Sequence, residues 1–261
     1  MNVGSIHVVA TSFFSTHHAS AADALAGRAR AVTAPAYPLL AGRARRFTSL
    51  VTQMHMEVLG ALPVDPTAVP CSVFATVHGE IQTAEKLIAD FHANALVSGA
   101  RFALSVHNSP SGVYSVATGS TSPTTTVTGS NALAAGWLEA ALTAHDRPVL
   151  LSIADEPVPE VFRGPRPNGS SARPRPEDAA LRTAEARPTD GPDQTVGVAA
   201  GFLFGSSGRH AELVMVTGRV PVDTLRTLAR IADACARDTT TVIPLGSVQP
   251  GTTLELHVGG R

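Results

Sequence analysis

Lysine is all but missing from these 261 residues: Lys86 is the only one, and arginine carries the positive charge. That bias reads as genomic base composition rather than function. An excess of either charge is also missing. Lys and Arg total 20 against 21 Asp and Glu, a net charge of −1, which argues against a generic nucleic-acid or membrane-surface binder. The two cysteines, Cys71 and Cys235, cannot build a disulfide framework, and without a CxxC partner or nearby paired histidines they do not suggest a metal site. No apolar run is long enough to span a bilayer; the longest, Val196 to Gly205, has ten residues. The first apolar run, Val8 to Phe14, has no basic residue before it and is soon followed by His17 and His18, so a secretory leader is not expected. What is present is apolar material, 44% of the residues against 16% charged, enough for a sizeable core. The expectation is a soluble cytoplasmic protein with one domain over residues 1–261.

The hydrophobic pattern alternates between the two periods. Ile6 to Ala10 reads as a strand. Ala41 to Leu62 reads as a helix, with Arg43, Arg45 and Arg46 at its start and Leu50, Val51, Met54, Val58 and Leu62 near helical spacing. Ser72 to Val77 is β-type. A helix follows over Glu80 to Leu96, its stripe formed by Ile81, Ala84, Leu87, Ile88, Phe91 and Ala95. Val113 to Ala117 and Thr124 to Thr128 are β-branched and read as strands. Ala132 to His145 is apolar nearly all round and should be a buried helix, and Pro148 to Ala154 is a continuous apolar strand of the buried type. Arg163 to Gln194 holds six of the 19 prolines and few large aliphatics, so 163–195 reads as a flexible surface insertion. Strands at about Val196–Phe204, Ala211–Thr217 and Thr252–Val258 and an amphipathic helix over Val222 to Ala236 complete an α/β layered pattern.

Several small constellations could carry chemistry. Thr126-Val-Thr-Gly-Ser-Asn131 leads a strand through a small-residue turn into the buried helix, a place where a helix N-terminus can stabilise an anion beside a nucleophile. Capping preference alone makes Ser130 or Asn131 an ordinary N-cap. The flanking residues are not the G-x-S-x-G elbow of a hydrolase. His107 and Asn108 precede Pro110 and suit a tied-down turn or a ligand contact. Asp155 and Glu156 are neighbours; strand alternation would point them to opposite faces, which favours a solvated strand end over a shared acid–base site. The arginine cluster reads as a solvated helix face or as a docking patch for an acidic partner.

Taken together, Gly79-Glu-Ile81, Phe102-Ala-Leu-Ser-Val-His-Asn108, Gly112, Ser115-Val116, Pro148-Val-Leu-Leu151 and Asp155-Glu-Pro157 resemble the short β-ketoacyl synthase-like proteins. These are truncated relatives of the condensing enzymes of fatty-acid and polyketide synthesis, and accompany aryl polyene and related clusters, where they resemble a chain-length factor. The resemblance implies a thiolase-like α/β/α fold, with this chain supplying mainly the N-terminal half. It also implies structural or binding roles for His107, Asn108, Gly112, Ser115, Asp155 and Glu156. Active members carry a Thr-Val-x-Thr-Ala-Cys-like stretch; here Asn131, or Ser130 by a one-residue slip, stands at the cysteine position. The family's two catalytic histidines belong to the second half, and His210 and His257 match neither motif.

The implied function is a ketosynthase-like auxiliary subunit in polyene, polyketide or fatty-acid-type synthesis, an acyltransferase relative that is not catalytic alone. It would pair as a heterodimer with a catalytic ketosynthase. It would bind no resident cofactor, meeting acyl groups on the phosphopantetheine of an acyl carrier protein. Leu133 and Trp137 would bound the acyl tunnel, and Arg43 and Arg46 would meet the carrier. Two alternatives stand beside it: an acyltransferase or thioester hydrolase using Ser130, and a non-catalytic scaffold that holds carrier proteins.

Overall fold

A computed structural model describes residues 2–37, 39–42, 48–163, 196–217, 222–237 and 239–259. The strands are β1 (Asn2–Ser15), β2 (Ser72–Thr76), β3 (Thr124–Thr128), β4 (Val149–Asp155), β5 (Val198–Gly205), β6 (Arg209–Thr217), β7 (Thr241–Gly246) and β8 (Thr252–Val258). The helices are α1 (Ala21–Leu25), α2 (Leu50–Gly60), α3 (Ile81–Asn94), α4 (Gly99–Ala103), α5 (Ser109–Thr118), α6 (Ala132–Thr143) and α7 (Thr224–Arg237). The strands form one eight-stranded sheet in the order β3-β2-β4-β5-β1-β6-β8-β7. β3, β2 and β4 run parallel, and every pairing from β4 onward is antiparallel.

Alternation along the central strands divides the core between two faces. Val73, Ala75, Leu151, Ile153, Ala200, Phe202 and Phe204 point to the face covered by α6, α7 and α1. Phe74, Leu150, Ala154 and Ala199 point to the face covered by α2 and α5. The result is the α/β/α layering expected. Trp137 of α6 is fully buried, with its ring centroid 4.9 Å from Phe202 and 5.2 Å from Phe204. α6 lies this close to the sheet because residue 136 is glycine; a Cβ there would be 2.7 Å from the Ala75 Cβ.

Four expectations need correction. Val113–Ala117 lies in α5, a helix, not a strand. Its start is set by Ser109-Pro110, proline being suited to the first helical turn, where it sacrifices no hydrogen bond. The helix expected from Ala41 begins at Leu50, where Ser49 accepts the Thr52 N–H as N-cap. β7 was not anticipated, because Pro244 interrupts it; an edge strand tolerates that proline. The apolar stripe of α3 is not core: Leu87 is buried, but Phe91 is 53% exposed and Ile88 49%. The segment 163–195, apart from Arg163, lies outside the described residues, as do Arg43, Arg45 and Arg46. Among the described residues no helix is long and apolar enough to cross a membrane.

Candidate functional site

The chemistry-bearing residues gather where the parallel strands β2, β3 and β4 end. β3 leaves the sheet through Gly129, whose φ of +100° is a conformation that favours glycine, and enters α6 at Asn131. Ser130 and Asn131 are both exposed. The Ser130 hydroxyl donates to Asn131 Oδ1 at 3.4 Å. Asn131 occupies the N-cap position, yet its side chain makes no capping bond, so the ordinary capping role expected of this pair is not filled. Among the described residues no histidine hydrogen-bonds Ser130.

β4 ends at Asp155, and the two carboxylates after it are not a solvated strand end. Asp155 and Glu156 are both buried. Asp155 Oδ1 accepts from Thr76 Oγ1 at 2.9 Å, Val77 N at 2.7 Å and His78 N at 3.2 Å, clamping the chain as it leaves β2. Glu156 Oε1 accepts Gln82 N at 2.8 Å, in the first turn of α3, whose amides otherwise lack partners. Glu80 is buried too: its Oε1 accepts the hydroxyls of Ser49 (2.7 Å) and Thr52 (2.8 Å), and its Oε2 accepts Thr83 Oγ1 (3.1 Å). Burial pushes all three carboxyls above their ordinary values, Glu156 to about 7. Asp155 and Glu156 line one cavity of about 270 Å³ with His78, Ser130 and Asp223. The alternation argument fails here because Glu156 already lies beyond the end of the strand. His78 and Asp223 carried no signal in the sequence, and Glu80 only as part of the Gly79-Glu-Ile81 motif; their roles arise from separate segments meeting.

His107 packs across Gly79, where a Cβ would fall 2.5 Å from its ring; Gly79 also holds a φ of +60°. The Asn108 carbonyl accepts Ser111 Oγ (2.9 Å) and Gly112 N (3.1 Å), starting α5, and Ser115 Oγ donates to the Ser111 carbonyl at 3.1 Å. Gly112 and Ser115 stand on α5, whose outer side forms an apolar groove of about 470 Å³ lined by Leu104, Val106, Asn108, Gly112, Val113 and Val116. Thr126 Oγ1 donates to Ser111 Oγ at 3.2 Å, tying α5 to β3, the edge strand of the sheet. Val116 is 84% exposed. The groove and the acidic cavity share no lining residue, and neither Leu133 nor Trp137 lines either one.

Sequence reasoning also missed His55 of α2. It is fully buried, hydrogen-bonded through Nδ1 to Ser152 Oγ at 2.7 Å, and held neutral because burial lowers its pKa to about 3. Burial pushes the thiols of Cys71 and Cys235 up, Cys235 to about 11, so neither is an activated nucleophile. Among the described residues no group of three or more His, Cys, Asp or Glu side chains could hold a metal ion.

One sheet of this topology, layered by helices and with a strand-turn-helix junction at the ends of its parallel strands, is a thiolase-like α/β fold. The family model described as the N-terminal domain of β-ketoacyl synthase matches residues 16–175, more than half of the chain, and the chain belongs to that family. Among solved structures it is similar to a complex of a ketosynthase with its chain length factor from Xenorhabdus doucetiae, at 15% identity and a TM-score of 0.69, over 97% of this chain and 99% of that one. It is also similar to the ishigamide ketosynthase/chain length factor, at 12% identity and a TM-score of 0.64, over 98% and 99%. Comparison with curated proteins finds no match.

Proposed function

We propose that this protein is a non-catalytic, chain-length-factor-like subunit that pairs with a catalytic ketosynthase in polyene, polyketide or fatty-acid-type synthesis. The observation that carries the reading is the turn between β3 and α6. Gly129-Ser-Asn131 has no cysteine, Ser130 has no histidine hydrogen bond among the described residues, and both cysteines lie elsewhere with raised pKa values. An amide cannot form an acyl-enzyme, and a serine needs a base to do so. The pairing is supported by the free edge of β3 beside the apolar groove on α5. An exposed edge strand with apolar neighbours is a surface that a soluble monomer does not ordinarily leave open.

In this reading the partner supplies the nucleophile, and a carrier protein delivers acyl groups on phosphopantetheine. Leu133 and Trp137 would close the inner end of the acyl tunnel, and Arg43 and Arg46 would attract the acidic carrier. The test is co-expression with a catalytic ketosynthase from the same genome, followed by size-exclusion chromatography with mass determination. A stable 1:1 heterodimer is expected. A chain that runs alone overturns the pairing. Loss of product on Ser130→Ala, with the heterodimer intact, would instead restore a nucleophilic role to Ser130.

A further inference from the structure

The strand order β3-β2-β4 sets the end of β2 in the middle, and a histidine stands there between a serine and an aspartate. The parallel ladder of β2 and β3 closes on Thr76 and Thr128, two residues short of His78 and Ser130. On the other side of β2, Asp155 ends β4 and holds the Val77 and His78 amides through Oδ1, at 2.7 and 3.2 Å. Ser130, His78 and Asp155 all line the cavity of about 270 Å³. Asp155 Oδ2 is fully buried and makes no hydrogen bond. Burial raises the Asp155 carboxyl, and the charge of the His78 side chain is among the groups that draw it back down, so ring and carboxyl lie within electrostatic reach. Among the described residues no hydrogen bond or ion pair engages the His78 side chain. Ser130 lies at the start of α6, and its contact to Asn131 Oδ1, at 3.4 Å, is too long to hold the hydroxyl. The Asn131 side chain leaves the first turn of this 12-residue helix uncapped, so the positive end of the helix faces the turn.

We propose that Ser130, His78 and Asp155 form a hydrolytic site for short acyl esters and thioesters. The order along the sheet, nucleophile then imidazole then carboxylate, is the one such a triad requires, and its carboxylate is the buried member. The Ser130 hydroxyl turns from Asn131 to His78 and attacks the acyl carbonyl, and His78 takes its proton. The bond from the carbonyl carbon to the thiol or alcohol then breaks, and His78 returns the proton to that leaving group. Water attacks the acyl-serine in the same way, releasing a carboxylic acid and restoring the hydroxyl. The N-terminus of α6 stabilises the oxyanion of both steps. Asp155 acts through His78 as a positioning residue, its free Oδ2 accepting the imidazole N–H. Val77, Val158, Val196, Val198 and Val222 line the cavity and cover a short alkyl group. Hydrolysis needs neither a cysteine nor a partner subunit, so the inference goes beyond the pairing reading and does not rest on it.

Two probes test it on the purified full-length chain: p-nitrophenyl butyrate, followed by release of nitrophenolate, and a fluorophosphonate, followed by intact mass. Hydrolysis at least tenfold faster than by Ser130→Ala prepared in parallel is expected, with a single phosphonyl adduct that this variant lacks. His78→Gln should slow both hydrolysis and adduct formation at least tenfold. Asp155→Asn keeps Oδ1 as the acceptor for the two amides. It should lower kcat at least tenfold with KM within twofold, a split that a merely loosened turn would not give. Hydrolysis unchanged in Ser130→Ala, an adduct only at another residue, full adduct formation by His78→Gln, or the parent kcat in Asp155→Asn overturns the proposal. If the His78 and Asp155 variants do not fold, Ser130→Ala, a change at an exposed turn residue, decides alone.

Discussion

Replacing Gly136 by alanine adds a single methyl group at the tightest contact between α6 and the sheet. Its Cβ would lie 2.7 Å from the Ala75 Cβ and 3.6 Å from Leu151 Cδ1. Carbon atoms pack at about 3.5–4.0 Å, so helix and strand must part by about 1 Å. Both belong to a core in which Trp137, one residue on, is fully buried, and the movement is resisted by that packing. Overpacking of this kind costs about 1–3 kcal/mol. Against it, alanine is the better helix former by about 1 kcal/mol. The expected net loss is about 0–2 kcal/mol, centred on about 1 kcal/mol, or roughly 2–4 °C in Tm for a chain of this size. Urea denaturation followed by circular dichroism measures it. The same change in an Ala75→Gly background tests the cause, because removing the opposing methyl should abolish the penalty and leave only the helix preference. The coupling between the two sites should exceed about 1 kcal/mol. A Gly136→Ala protein clearly more stable than the parent, or two changes that simply add, would refute the close-approach argument.

Glu156→Gln should change how stability depends on pH. Burial lifts the carboxyl from 4.5 to about 7, so between those values the folded chain holds a proton that the unfolded chain has lost. Glu156 therefore makes stability fall as pH rises across that window, by up to about 3 kcal/mol, and the glutamine should remove that share, leaving what the raised Glu80 and Asp155 contribute; urea melts at pH 5 and pH 8 that show the full parent slope in the variant would sink this account. Trp137→Ala should cost about 3–5 kcal/mol, because it empties a fully buried site against Phe202 and Phe204; thermal melts check it, and a loss under about 1 kcal/mol would mean the ring is not core. If that variant still folds, an altered product length in the reconstituted pathway would support the tunnel role. Val116 is 84% exposed, so Val116→Asp should leave the melting curve within about 0.5 kcal/mol of the parent. The same change in the groove lining should weaken ketosynthase association at least tenfold, and unchanged association would move the pairing surface away from the groove.

Much of the frame was legible because local pattern and tertiary role agree. β2, β4 and β8 lie within a residue of where the apolar runs end, and α6 begins where Asn131 leaves the β3 turn. α5 was misread because Val113, Val116 and Thr118 favour strands locally, while Asn108-Ser-Pro110 sets a helix start and Tyr114 buries its ring against Phe74. The motif residues His107, Asn108, Gly112 and Ser115 were found. Their surroundings, a groove on the outer side of a helix, were not, because exposure of Val116 follows from which neighbours are missing. The buried His55–Ser152 pair gave no signal either, since a serine inside an apolar strand reads the same whether it faces a histidine or a void.

By itself the sequence determined the alternation of strands and helices, the buried α6, the family, and the absence of cysteine at the β3–α6 turn. These follow from periodicity, composition and motif, properties of neighbouring residues. The burial of Asp155 and Glu156, their shared cavity and their raised pKa values were decided only by the tertiary structure. Those properties depend on how much water is displaced when β4, the exit of β2 and the first turns of α3 and α7 converge. Residues far apart in the chain set that desolvation, and no local pattern encodes it.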